Sequence, residues 1–505
     1  MSTPEIPEVP GHRTLAVELG EKRLGTIHAV GQALAIGPIF STVLVLAFVS
    51  LGAGSKAPLS VLVATLGVLC IGYVLSLFAR QYVGAGAVYE YLARGVGRPL
   101  GVFAAGVFFL GTIFLGGGGI YLGIGILTDQ FLTLHVSDST DWPWWLFGLI
   151  ALVIVLILNY IGVRLAINAV LAFTALSTIP FLILAVAVLA DGGPEGLSFD
   201  PFNPSGSWNE IWDGLLLGIL LFVGFEAAAS IAEESREPRK SIPRAVLLTI
   251  GLSGAFFILM SYVAVVGFGQ AAVNEGAWAA DPAAMSTLAK EYTSDSLRLG
   301  GIIDFVVILD AMALAIAIGV MMSRGFFALA RDELLPSVFA RTSKYDTPYV
   351  GSLSVAVGGV LMITLGLTLN YGTDLGLPDE LGMFIISATA GSFAVELIYL
   401  FLALGGFLLI SRTGGPNAWW QYLIALGAVI TPILGFYGPL WPFPDYPDPN
   451  NRAFWYALTA VIVAAVWYLI LQFMRPDAIA DAAEYAELPE GVRSEVREVR
   501  PTETL

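Results

Sequence analysis

Apolar residues in this chain come in long unbroken runs, not in alternation and not as one stripe of an otherwise polar helix. A helix needs roughly 20 apolar residues to cross a hydrocarbon core of about 30 Å. Runs of that length fall near 26–53, 58–80, 99–127, 143–163, 167–190, 211–232, 243–268, 299–323, 349–369, 381–411, 418–441 and 453–474. They predict twelve membrane-crossing helices, of which 381–411 is long enough to tilt or to run past the membrane. An outer-membrane barrel would instead show alternating segments about ten residues long. The predicted fold class is an all-α integral membrane protein.

Charge supports the same count. If the chain starts inside and crosses twelve times, twenty of its 24 Lys and Arg fall on the starting side, and only Lys56, Lys290, Arg298 and Arg452 on the other. Basic residues gather on the cytoplasmic face, and a miscounted span would scramble this alternation. The expected protein is therefore a multi-pass plasma-membrane protein with both termini in the cytoplasm. Its expected organisation is an N-terminal segment 1–25, five crossings over 26–190, five more over 211–411, two over 418–474, and an acidic tail 475–505. Residues 1–25 are polar and acidic (Glu5, Glu8, Glu18) and no short basic stretch leads into an apolar one. The first span is thus expected to act as its own insertion signal. The tail, with Asp477, Asp481, Glu484 and five further Glu against three Arg after Pro476, reads as a solvated extension.

Composition works mainly by exclusion. Of 505 residues 57% are hydrophobic and 13% charged, whereas a soluble chain carries about 25% charged residues. A net charge of −16 argues against nucleic acid as a partner. The lone Cys70 leaves no disulfide within the chain, and His12, His28 and His135 are dispersed without metal-ligand spacing. No metal, cofactor or enzymatic activity is expected. The expected partners are the lipid bilayer and a small solute.

A bundle that only anchors something has no need of broken helices. Irregular backbone at membrane depth is tolerated where it lines a cavity, and paired breaks in corresponding spans point to a mid-membrane binding site. The first span carries Val30-Gly-Gln-Ala-Leu-Ala-Ile-Gly-Pro-Ile-Phe40. Pro38 lacks an N–H and disfavours the α conformation at Gly37, so the helix should open over residues 35–39. The sixth span carries Gly224-Phe-Glu226-Ala-Ala-Ala-Ser230. Breaks in the first and sixth spans fit two five-span inverted repeats. Glu226 costs about 2.5–3.5 kcal/mol to insert at mid-helix. It therefore either faces a cavity with a partner or is a neutral acid bonding another helix. Asp304 lies near the outer end of the eighth span, Asp310 deeper in it, and Glu396 in the tenth. Asp310 and Glu396 each suit a proton carrier or a structural hydrogen bond. Two charged segments, 233–244 and 323–336, are explained by anchoring at the membrane surface.

Together these pieces resemble the amino acid–polyamine–organocation superfamily of secondary transporters. Gly224-Phe-Glu226, then Glu233-Glu234 and Glu237-Pro-Arg…Ile242-Pro-Arg-Ala245, resembles its sixth-helix signature and the loop after it. Ser323-Arg324…Ala330-Arg-Asp332…Leu335-Pro336 resembles the exit of the eighth helix, and Gly84-Ala-Gly-Ala-Val-Tyr-Glu-Tyr91 the link between helices two and three. Asn159-Tyr-Ile-Gly-Val-Arg164 resembles the end of the fourth. The resemblance implies a leucine-transporter-type fold, a 5+5 inverted repeat plus two C-terminal helices, working by alternating access. It implies a substrate site at Ile36, Gly37, Pro38, Ile39 and Phe40 with Val223, Gly224, Phe225 and Glu226. Backbone N–H groups of the first break would hold a carboxylate, and carbonyls of both breaks an amine. Here the first break departs from the family pattern: Pro38 replaces a glycine and removes a donor, leaving the N–H groups of Gly37, Ile39 and Phe40. Phe225 is either a lid over the substrate or core packing.

The eighth span over Leu309–Met322 contains no Ser or Thr to ligate sodium, and the fifth contains no Lys. Proton coupling or exchange is therefore preferred, with H+ carried at Glu226 and Asp310. The leading expectation is a secondary active permease for an amino acid or related amine. The alternatives are a polyamine or organic-cation carrier of the same fold, favoured by Pro38 and the mid-membrane acids, and a non-transporting sensor on that fold.

Overall fold

The computed structural model describes residues 24–136, 142–205, 208–281, 283–294, 297–345, 347–375, 377–413 and 418–484. The expected N-terminal segment up to residue 23 and the tail beyond 484 lie outside the described residues. The described residues form helices joined by short turns, with isolated bridges at Leu24–Ser235 and Thr342–Pro348 in place of a sheet. Among the described residues, eleven helical stretches are long and apolar enough to cross a membrane. One of them, Thr26–Gln81, has 56 residues and contains two crossings. A straight helix of that length would span about 84 Å, and the chain turns instead at Gly54–Lys56, where Gly54 has φ +51°. Twelve crossings result.

The first crossing is α1 (Thr26–Ala33), a 3₁₀ turn, a break at Gly37, and a second half that ends in α2 (Leu46–Ala53). Then come α3 (Ala57–Gln81), the short α4 (Val88–Gly95), α5 (Arg98–Ile113) and α6 (Tyr121–His135), the last two joined by a π-helical stretch, Phe114–Ile120, into one crossing. α7 (Trp144–Ile161) and α8 (Val163–Asp191) complete the first five crossings. The sixth contains α9 (Leu215–Leu220) and a 3₁₀ segment Phe225–Ile231. α10 (Pro238–Phe268), α11 (Leu299–Arg331), α12 (Val350–Thr368), α13 (Asp379–Thr413), α14 (Trp419–Leu440) and α15 (Pro449–Met474) follow, and α16 (Pro476–Ala480) closes the described chain.

The crossings differ in depth. The sixth is the most enclosed and the last among the least: 89% of its apolar window is buried in the sixth, 22% in α15. The chain thus places its broken helix at the centre. Large apolar residues such as Ile150, Ile154 and Ile157 on α7, or Leu176, Ile179 and Ile183 on α8, stay exposed. In a membrane protein those faces meet lipid, so their exposure costs nothing. α3 packs most extensively on α10, and α8 on α11.

Candidate functional site

The two breaks touch. Gly37 takes φ +53° and Gly224 φ +118°, both in the left-handed region that favours glycine. A Cβ on Gly224 would lie 2.3 Å from the Ala35 carbonyl oxygen and 3.0 Å from the Ile36 nitrogen, so the backbone of the sixth crossing rests directly on that of the first. A Cβ on Gly37 would lie 2.8 Å from Leu314 on α11. Glycine is required at both for conformation and for close approach.

A cavity of about 50 Å³ opens where they meet. Ile36, Phe40, Val223, Gly224 and Glu226 line it, and Ser41 and Thr112 add hydroxyls. The rest of the lining is apolar, from Leu220, Leu314, Phe384 and their neighbours. Of the nine substrate-site residues expected from sequence, these five reach the cavity. Gly37, Pro38 and Ile39 stand behind it and shape the break. Phe225 is buried against Tyr399, ring centroids 5.4 Å apart, and does not line the cavity.

The backbone donors of the first break are engaged within the protein. The Gly37 N–H bonds the Leu34 carbonyl at 3.0 Å and the Ser41 N–H the Gly37 carbonyl at 2.8 Å. The Ile39 and Phe40 N–H groups both donate to Asp310 Oδ2, at 2.9 and 3.0 Å, and the Thr174 hydroxyl of α8 donates to Oδ1 at 2.9 Å. The three N–H groups left for a substrate carboxylate in the sequence expectation are thus all occupied, two of them by a carboxylate built into α11. Asp310 draws three neutral donors because it is fully buried and must be satisfied locally.

Glu226 is held on the other side of the cavity. Its Oε2 accepts from the Gly224 N–H at 3.0 Å and from the Tyr399 hydroxyl of α13 at 2.8 Å. One turn before Tyr399, Glu396 accepts from Ser392 at 3.1 Å, while its Oε2 faces Gly435 of α14 and finds no hydrogen-bond partner among the described residues. Tyr399 and Thr174 were not singled out from sequence. A phenol three residues from a mid-span acid was the available signal for Tyr399, whereas a threonine in an apolar run gives none. Among the described residues no cluster of His, Cys, Asp and Glu suits a metal.

Toward the end of the bundle where residues 24 and 484 lie, here called the basic face, the charge pattern reverses. Arg324 grips Glu234 through Nε at 2.8 Å and Nη2 at 3.0 Å. Arg331 bonds Glu233 at 2.9 Å and Glu90 at 3.1 Å, and all five side chains are buried. The Ala85 N–H donates to Glu233 at 2.8 Å, and Leu24 pairs with the backbone of Glu234 and Arg236. This corrects the expectation of surface anchoring for part of each segment. Glu233 and Glu234 of 233–244 and Arg324 and Arg331 of 323–336 form interior ion pairs joining α4, the sixth crossing and α11, while Arg236, Glu237, Arg239, Lys240 and Arg244 stay exposed. Beside them Asp332 accepts from Tyr89 at 2.6 Å and from the Ala483 N–H at 2.8 Å, and Arg94 Nε donates to the Ala483 carbonyl at 2.7 Å. Desolvation in this half-buried position pushes the Asp332 carboxyl above its usual range, against the pull of Arg331. The last described segment is thereby strapped to the same elements.

A twelve-crossing bundle broken at its centre in the first and sixth crossings has the arrangement of the leucine-transporter-type transport protein that the sequence resemblance implies. The family model described as amino acid permease matches residues 27–466, and the chain belongs to that family. The branched-chain amino acid permease BcaP of Bacillus subtilis (strain 168) is 24% identical over 398 residues, covering 73% of this chain and 80% of its own. BcaP of Lactococcus lactis subsp. cremoris is 23% identical over 465 residues, covering 87% and 90%. The solved structure of MhsT in complex with L-phenylalanine shares the fold, with a TM-score of 0.56 at 18% identity, over 85% of this chain and 100% of that one.

Proposed function

We propose that the chain is an alternating-access permease for an amino acid or a related amine, placed in the plasma membrane with the basic face toward the cytoplasm. What carries the proposal is the seating of Gly224 on the Ala35–Ile36 backbone beside a cavity that Glu226 lines. Backbone of both breaks and one carboxylate converge there, which suits an amine-bearing solute. The names of the relatives supply the amino acid.

Proton coupling or exchange is proposed at Glu226 and Asp310. Each sits at one break, and each is held only by neutral donors, so each can take up a proton without stranding a counter-ion. Protonating Asp310 weakens its hold on the Ile39 and Phe40 N–H groups and frees the second half of the first crossing to move. In proteoliposomes, Glu226→Gln is expected to abolish accumulation driven by a pH gradient while leaving exchange partly intact. Accumulation that survives in this variant removes Glu226 from the coupling.

One observation favours a second substrate class. With Ile39 and Phe40 bonded to Asp310, a solute bearing positive charge and no carboxylate fits the centre without displacing anything. A thermal-unfolding screen separates the two, because a ligand at 100 times its Kd stabilises by about 2.7 kcal/mol. Shifts by amino acids but not by their decarboxylated amines favour a carboxylate that displaces Asp310. Shifts by amines or polyamines alone favour the organic-cation reading.

A further inference from the structure

Away from the centre, four cations line a groove of about 400 Å³ at the basic face, between α3 and α10. Arg80 comes from the last turn of α3, and Arg239, Lys240 and Arg244 from the first two turns of α10, over an apolar floor of Pro243 and Leu247. All four cations are exposed. Glu237 meets Lys240 at 3.3 Å, and no carboxylate among the described residues pairs with Arg80, Arg239 or Arg244. The general bias of basic residues toward one face needs them anywhere on that face. It does not gather four around one concavity in a chain of net charge −16, where 40 acids were available to intersperse.

The groove opens toward lipid. Up the same side of α10, Leu248 and Leu252 are 50% and 62% exposed, and Gly251 faces open space. Leu66 on α3 is likewise exposed. A cationic pocket continuing into an uncovered apolar flank matches an amphiphile with an anionic head.

We propose that this groove binds the phosphate-bearing headgroup of an anionic phospholipid from the leaflet at the basic face. The three guanidinium groups offer planar forks to phosphate oxygens, Lys240 adds a point charge, and the acyl chains lie along Leu248, Gly251 and Leu252. Basic pockets between membrane helices recognise headgroups by this chemistry. The site bears on the rest of the protein through its position. α10 begins directly after the loop that holds Glu233 and Glu234, so a bound headgroup braces the segment whose carboxylates grip Arg331 and Arg324. The proposal is independent of the transport reading above.

The test uses the full chain, delipidated in a neutral detergent, with binding read by native mass spectrometry and by the unfolding midpoint. Phosphatidylglycerol is expected to bind and raise the midpoint, and phosphatidylcholine to do neither. The Arg80→Gln/Arg244→Gln variant is expected to bind phosphatidylglycerol about thirtyfold more weakly, at about 1 kcal/mol per basic residue. Arg164→Gln, a basic residue removed elsewhere on the same face, should leave binding unchanged. Should the double variant fail to fold, Arg239→Gln alone is expected to weaken binding about fivefold. Equal binding of the two lipids overturns the proposal, as does equal weakening by Arg164→Gln. Inorganic phosphate raising the midpoint as far as the lipid does would assign the groove to a soluble anion and overturn the lipid.

Discussion

The basic face and the centre of the bundle both bury carboxylates, but they satisfy them in opposite ways. At the basic face Glu90, Glu233 and Glu234 meet the guanidinium groups of Arg331 and Arg324 within 3.1 Å. At the centre Glu226, Asp310 and Glu396 meet only hydroxyls and backbone N–H groups. A buried ion pair holds only while both partners stay charged and in place, so it suits a latch that is either shut or open. A buried acid on neutral donors can change its charge without leaving an orphaned cation, so it suits a site that must respond to a proton. On the reading proposed above, the difference would assign closure to the basic face and coupling to the centre.

That contrast breaks most visibly at Arg331. Arg331→Met leaves Glu90 and Glu233 buried without their cation, and about 3–5 kcal/mol of stability should be lost. The loss is read as a fall in the unfolding midpoint in detergent, and adding Glu90→Gln and Glu233→Gln should restore part of it. No fall would mean that the face is not held by its ion pairs. Gly224→Ala comes next. Its Cβ would stand 2.3 Å from the Ala35 oxygen at a φ of +118°, forcing the two breaks apart. About 2–3 kcal/mol and all uptake should be lost. Uptake that persists would show that the breaks need not touch.

The crossings and the breaks were legible in the sequence because each rests on a local signal: an apolar run of fixed length, a proline that cannot donate, a glycine beside a carboxylate. The interior fate of Arg324, Arg331, Glu233 and Glu234 was not. A charged stretch next to a span looks the same whether its partners are water or one another, and Glu90, which pairs with Arg331, lies 241 residues before it in sequence. Asp310 shows the same limit at the site. Its depth could be read from the run around it, but not that it caps Ile39 and Phe40, some 270 residues earlier.

Asp310→Asn sharpens the comparison from the central side. Asparagine keeps one acceptor for the Ile39 and Phe40 N–H groups but turns an amide donor toward the Thr174 hydroxyl. A loss of about 1–2 kcal/mol follows, smaller than at Arg331 because no charge is stranded. If Asp310 carries the coupled proton, the pH dependence of uptake should flatten in this variant while substrate still shifts the unfolding midpoint. An unchanged pH profile would remove Asp310 from the proposed coupling.

The smallest effect tests whether the strap at the basic face carries load. Ala483 sits at φ +59°, a conformation an alanine adopts at a cost, yet its N–H and carbonyl are both bonded, to Asp332 and Arg94. Backbone strain persists where surrounding contacts over-determine it. Ala483→Gly relieves the strain and keeps both hydrogen bonds, and after glycine's greater freedom in the unfolded chain is subtracted the net gain is about 0.5 kcal/mol. If the proposed alternating access opens the basic face by releasing this segment from Asp332 and Arg94, a tighter strap should slow uptake as the unfolding midpoint rises. Faster uptake with a higher midpoint would separate the strap from the closure altogether.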